Sequence, residues 1–195
     1  MKSDIVLAGV GGQGILTIAT ILGSAALADD LHLKQAEVHG MSQRGGDVQS
    51  NLRISSEPIH SDLISLGGAD MIVSLEPMEA LRYLPYLSTK GWIITNSTPF
   101  VNIESYPEME KIVKELEKHE HLILFDMDAL AKEVATARSS NLVLLGAASP
   151  LIDMPADKIE EAIKALFIRK GEKVVDANIA AFRAGREKAQ SIINS

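Results

Sequence analysis

Residues 4–28 read DIVLAGVGGQGILTIATILGSAALA, and few folds can accommodate that run. After Asp4 the segment is apolar without alternation and stops at Gly9, the pattern of a strand covered on both faces. From Ile15 the apolar residues recur at helical spacing through Ile18, Ala19, Leu22, Ala25 and Ala26. Between the two lies GVGGQG. A strand that passes to a helix through a short glycine loop opens a βα unit. A strand apolar on both sides needs helices above and below it, so the fold should be α/β around a parallel sheet.

The rest of the chain continues that rhythm with one interruption. Residues 34–38 read as a second strand, and 39–46 (HGMSQRGG) as a polar glycine loop. Residues 47–54 (DVQSNLRI) place Val48, Leu52 and Ile54 on one side and Asp47, Gln49, Asn51 and Arg53 on the other, a half-exposed strand. Residues 55–58 look like a turn, and 59–64 are expected to return beside 47–54 as an inserted hairpin. Strands follow at 71–75, 91–96 and 122–126. Helices are expected at 77–87, with proline in the first turn, and at 107–118, 127–137, 141–151, 155–170 and 174–193. The stretch 141–151 is apolar all round and should be a buried helix. No repeat, low-complexity tract or long linker interrupts the 195 residues. The expectation is one domain, 1–195: a Rossmann-like, mostly parallel twisted sheet with helices on both faces, an inserted β-hairpin and a helical C-terminal part.

Composition narrows the chemistry. The chain has no cysteine, which excludes a disulfide framework, a cysteine nucleophile and any cysteine-held zinc or iron–sulfur site within it. Nineteen basic against 26 acidic residues give a net charge of −7, with no dense Lys/Arg run, so nucleic acid is not an expected partner. Apolar stretches fall short of the roughly 18 residues a membrane span needs. The start, Met1-Lys2-Ser3-Asp4, lacks the charged leader of a secretory signal. A cytoplasmic protein without membrane partners is expected.

Two loops carry the candidate binding residues. Gly9, Gly11 and Gly14 satisfy G-x-G-x-x-G, with Gly12 and Gln13 between them. Such a loop brings backbone N–H groups and the positive end of a helix toward an anion; a tight turn that merely needs small residues fits the same string. The second loop offers Ser42, Gln43, Arg44, Gly45 and Gly46, with Arg44 either facing a ligand or paired with Asp47. It follows a strand, so it should lie at the carboxyl edge of the sheet, opposite the first loop. Glu37, His39, Arg53, Glu76 and Asn96 are further candidates for the same cleft. His39 is readable as a general base or a structural histidine, Glu76 and Asn96 as ligand contacts or helix caps. Asn141 and Asn178 are readable as buried polar links. No catalytic residue and no metal ligand set is identifiable. Because Glu37 is near the acidic position of a dinucleotide site, a stand-alone NAD(P)-binding dehydrogenase stays open, as does a nucleotide-binding regulatory module.

GVGGQG after the first strand, EVHGMSQRGG followed by an R-x-S strand, ADMIVSLEPMEALR, NLVLLGAAS and DANIAAFRAG occur in this order along essentially the whole chain. Together they resemble the gamma-type subunit of the 2-oxoacid:ferredoxin oxidoreductases, most of all the beta subunit of the indolepyruvate enzymes. The resemblance implies oxidative decarboxylation of a 2-oxo acid such as indolepyruvate to acyl-CoA, carbon dioxide and reduced ferredoxin. It places thiamine diphosphate, magnesium and iron–sulfur clusters in a larger partner subunit, through which ferredoxin is reached. This chain is then expected to hold no tight cofactor and to be inactive alone. Coenzyme A is the candidate ligand shared with the partner, at Gly9, Gly11, Gly12, Gln13 and Gly14 and at Ser42, Gln43, Arg44, Gly45 and Gly46.

Overall fold

The computed structural model describes residues 1–39, 45–101, 103 and 105–195, with His39 described for its backbone alone. The first strand, β1 (Lys2–Val10), shows why the sheet must be covered twice. Ile5 and Leu7 belong to the apolar layer on one face, Val6 and Ala8 to the layer on the other, and all four are 0% exposed. The other strands are β2 (His32–His39), β3 (Asp47–Ser55), β4 (Ala69–Ser74), β5 (Leu87–Asn96) and β6 (Leu122–Phe125), in the order β2-β3-β1-β4-β5-β6. β1, β4, β5 and β6 run parallel; β3 is antiparallel to both β1 and β2.

The hairpin is therefore real, but its arms differ from those expected. β3 pairs with β2, from His32 opposite Ser55 to His39 opposite Val48, and residues 59–64 form no strand. The reason is local. Arg53 Nη1 donates to the carbonyls of Ser61 (3.1 Å) and Leu63 (3.2 Å), and Ile64 N–H donates to Asn51 Oδ1 (3.4 Å), which ties this segment down as a loop. A half-exposed strand can pair on either side, and period-two alternation does not say which. The pairing has a consequence for ligands: β3 separates β1 from β2, so the second strand is not the neighbour of the first.

Helices α1 (Ile15–Ala28), α4 (Met127–Val134), α5 (Ser140–Ala148), α6 (Ala156–Phe167) and α7 (Glu172–Ile193) cover the Ile5/Leu7 face. Helices α2 (Pro77–Arg82) and α3 (Met109–Leu116) cover the Val6/Ala8 face. All nine residues of α5 are buried, as its uniform apolarity requires. It crosses α7 where two glycines meet: a Cβ on Gly146 would lie 1.9 Å from the Phe182 carbonyl oxygen, and one on Gly185 2.0 Å from that of Val143. Among the described residues, no helix is long and apolar enough to cross a membrane.

Candidate functional site

The C-terminal ends of the parallel strands, the glycine loop and the start of α5 enclose a cleft of about 470 Å³. In open α/β sheets this is the edge where ligands bind, because the helices that follow the strands present their N-termini there.

The glycine loop is built from its own sequence. Gln13 turns its side chain back, so that Oε1 accepts from Val10 N–H (2.8 Å) and Nε2 donates to the Leu75 carbonyl (3.5 Å). A Cβ on Gly9 would fall 2.8 Å from Ile15 Cγ1, so only glycine lets α1 fold back onto the end of β1. Gly14 starts α1 in the left-handed region (φ 82°); no side chain caps the helix, and its first turn holds no acidic residue. The positive end of α1 thus opens on the cleft. Gly12 also has positive φ (105°), and a Cβ there would meet nothing within 4 Å. Gly11 is used differently from a phosphate-approach glycine. Its N–H donates to the Gly46 carbonyl (2.8 Å), and Gly45 N–H donates to the Gly11 carbonyl (3.4 Å). The start of the β3 arm is thereby fastened to the first loop. Ser42, Gln43 and Arg44 lie outside the described residues, as does the side chain of His39.

The opposite wall is a polar network. Asn96 Oδ1 accepts from Met127 N–H (2.9 Å) and Thr98 N–H (3.3 Å), while Nδ2 donates to Asp128 Oδ2 (3.0 Å). Ser140 Oγ donates to the other Asp128 oxygen. Thr136 Oγ1 accepts from Arg138 N–H (3.3 Å) and fixes the turn before α5. The Arg138 side chain is exposed at the cleft and makes no ion pair among the described residues. Asn141 Nδ2 donates to the Gly14 carbonyl (3.2 Å), joining α5 to the glycine loop. Asn141 is only 8% exposed, and its Oδ1 has no partner among the described residues. Among those residues no group of three or more acidic or histidine side chains is placed to hold a metal.

Of the additional candidates whose side chains are among the described residues, Asn96 alone lines this cleft. Glu76 ends β4 at the same edge but is 1% exposed and turned to the α2 face. Its carboxylate caps α2 through Glu79 N–H (2.9 Å) and accepts from Phe100 N–H (3.4 Å) and the Tyr106 hydroxyl. Burial, and then that bond to Glu76, push the Tyr106 phenol well above its ordinary range. Arg53 sits at the other end of the sheet, because β3 runs antiparallel to β1. There it grips buried Asp4 with Nε to Oδ1 (2.7 Å) and Nη2 to Oδ2 (3.0 Å). Burial opposes the charge on Asp4, but the bonds from Arg53 and Lys2 outweigh it and hold the carboxyl below its ordinary value. Glu37 is exposed on β2, level with Ser50 and hence with Leu7, two strands from β1 and below the loop. It does not reach the place from which an acidic residue holds a dinucleotide ribose. Arg138, Asp128 and Ser140 carried no motif in the sequence; only the fold brings them to the glycine loop.

A family profile described as pyruvate ferredoxin/flavodoxin oxidoreductase matches residues 4–188. The indolepyruvate oxidoreductase subunit IorB of Pyrococcus horikoshii is 37% identical over 201 residues, covering 98% of each chain. Among solved structures, the keto/oxoacid ferredoxin oxidoreductase gamma subunit of Geobacter sulfurreducens superposes with a TM-score of 0.74 at 25% identity, over 97% of this chain and 99% of that one. The 2-oxoglutarate:ferredoxin oxidoreductase of Magnetococcus marinus, solved with 2-oxoglutarate, coenzyme A and succinyl-CoA bound, shares the fold. It does so with a TM-score of 0.77 at 23% identity, and this chain spans 97% of its own length but 31% of that chain.

Proposed function

The chain belongs to the pyruvate ferredoxin/flavodoxin oxidoreductase family, and from that premise we propose that it completes the coenzyme A site of a larger catalytic partner. It is a small subunit of an indolepyruvate or related 2-oxoacid oxidoreductase. Residues 1–195 act as one gamma-type domain, inactive alone, in the cytoplasm. Thiamine diphosphate, magnesium and iron–sulfur clusters belong to the partner, a division with which the absence of cysteine from this chain is consistent. In such an enzyme the partner's thiamine diphosphate would supply the electron sink for loss of carbon dioxide, its clusters would accept the two electrons of the ensuing oxidation for ferredoxin, and coenzyme A would take the acyl group.

The observation that carries this reading is the uncapped positive end of α1, opening on a polar cleft at the carboxyl edge of the sheet. A phosphoryl group fits that end, and Asn141 Oδ1, an acceptor without a partner among the described residues, suits an amide or hydroxyl donor of the same molecule. A cleft of about 470 Å³ takes part of a molecule as long as coenzyme A, leaving the rest to the partner. This chain's residues bind and orient; no general acid or base is assigned to them.

The test is methyl-viologen reduction with indolepyruvate and coenzyme A, using the two purified subunits separately and together. Activity is expected only from the reconstituted pair. Full activity from the large subunit alone would refute the proposal.

A further inference from the structure

We propose that Arg138 is the residue that distinguishes a phosphorylated carrier from its unphosphorylated fragment at the cleft, an inference that rests on the coenzyme A reading. The other arginines near defined partners are committed. Arg53 binds Asp4, Arg82 binds Glu79, Arg183 binds Glu160, and Arg186 donates to Ser149 Oγ (2.9 Å). Arg138 lines the cleft with an exposed guanidinium and no partner among the described residues. Its backbone is held by Thr136 Oγ1, and the turn it occupies leads directly into buried Ser139, Ser140 and Asn141. The side chain therefore projects from a fixed base.

Across the same cleft lies the N-terminus of α1, fourteen residues long, with neither a side-chain cap nor a first-turn acid. A second feature marks the space as a ligand site. Asn141, 8% exposed, has its amide orientation fixed by donation to the Gly14 carbonyl, which leaves Oδ1 as an unsatisfied acceptor beside the loop. A helix end and a guanidinium flanking one cleft suit a phosphoryl group, which accepts from both. Asp128 lies in the same lining, but each of its carboxylate oxygens already accepts a hydrogen bond, from Asn96 and from Ser140. The site thus joins an anion-binding end to an acceptor-lined end, which suits a phosphorylated ligand that also carries N–H or O–H groups. Inorganic phosphate would use only half of it.

The test is equilibrium binding of coenzyme A, 3′-dephospho-coenzyme A and pantetheine to the purified two-subunit complex without 2-oxo acid. Arg138→Gln should weaken coenzyme A by about 10- to 100-fold, the worth of a charge-assisted bond, and leave pantetheine unchanged. Arg138→Lys should recover part of the loss, since a point charge replaces the fork. A penalty that persists with the dephospho compound assigns the contact to the pyrophosphate; one that vanishes assigns it to the 3′-phosphate. Wild-type affinity in Arg138→Gln, or an equal loss for pantetheine, overturns the role of Arg138. Thr98→Trp, which fills the cleft, separates that failure from the failure of the site. Unchanged coenzyme A binding in Thr98→Trp means the carrier does not bind here at all.

Discussion

Replacing Gly146 by alanine should do more damage than any other single added methyl group in α5. The helix is buried on every side, and at Gly146 it lies against the backbone of α7 rather than against a side chain that could move. A Cβ there would stand 1.9 Å from the Phe182 carbonyl oxygen and 2.9 Å from the Arg186 nitrogen, where ordinary contact begins at 3.4 Å. The helices must part by about 1.5 Å, and gaps of 0.5–1 Å already forfeit a quarter to a half of each van der Waals contact. Overpacking typically costs about 1–3 kcal/mol and about 3–5 kcal/mol where, as here, only backbone can yield; alanine returns about 1 kcal/mol of helix propensity. A net loss of about 2–4 kcal/mol lowers Tm by roughly 5–15 °C for a chain of this size. Differential scanning calorimetry measures it. Gly185→Ala should behave alike, and the double variant should lose less than the sum, because one separation relieves both clashes. Asn141 lies five residues earlier on α5, so the shift should also loosen its bond to Gly14 and weaken the cleft. A Gly146→Ala protein that melts at or above wild type would refute the close crossing.

Further outcomes follow from the hydrogen bonds. Arg53→Ala should cost about 2–3 kcal/mol, because it strands buried Asp4 with Lys2 alone. The folded Asp4 pKa is lowered, so this pair stabilises fully above the ordinary carboxylate value and is lost as pH falls through the depressed one. Acid unfolding of wild type should therefore steepen below about pH 4 and flatten in Arg53→Ala, followed by circular dichroism. Tyr106→Phe should lower stability by about 1–3 kcal/mol in urea unfolding, since it removes a donor from buried Glu76. Burial, with nearby Asp47 and Glu79, raises the Tyr83 phenol to about 12, so its ultraviolet titration should be missing at pH 11 in the folded protein. Gln13→Ala should weaken coenzyme A binding to the complex more than it lowers Tm, because the lost amide braces only the loop.

Much of the architecture was legible in local pattern. The βα opening, the parallel strands at 71–75, 91–96 and 122–126, the buried α5 and the amphipathic α6 all follow from periodicity and chain punctuation, which act over a few residues. The partner of β3 did not, because alternation specifies which face is buried and is silent on which neighbouring strand supplies the hydrogen bonds. The pairing that puts β3 between β1 and β2 removed Glu37 from the glycine loop, and the antiparallel run of β3 put Arg53 at the far end of the sheet. Glu76 was legible as a helix cap at the right edge, but its second use, holding Phe100 and Tyr106, depends on a segment more than twenty residues away.

The sequence by itself determined that the chain must bury a two-sided parallel sheet, that glycines lie where β1 hands over to α1, and that no cluster can be bound through its own cysteines. These are properties of residue type and short-range spacing. Only the tertiary structure decided what stands across from that loop. Asn96 from β5, Asp128 from α4, Arg138 from the turn before α5, and Ser140 and Asn141 from α5 itself meet because α5 is driven into the core and the strand ends are level. Such a meeting depends on packing across more than 120 residues of chain between Gly14 and Asn141, and no motif in the string records it.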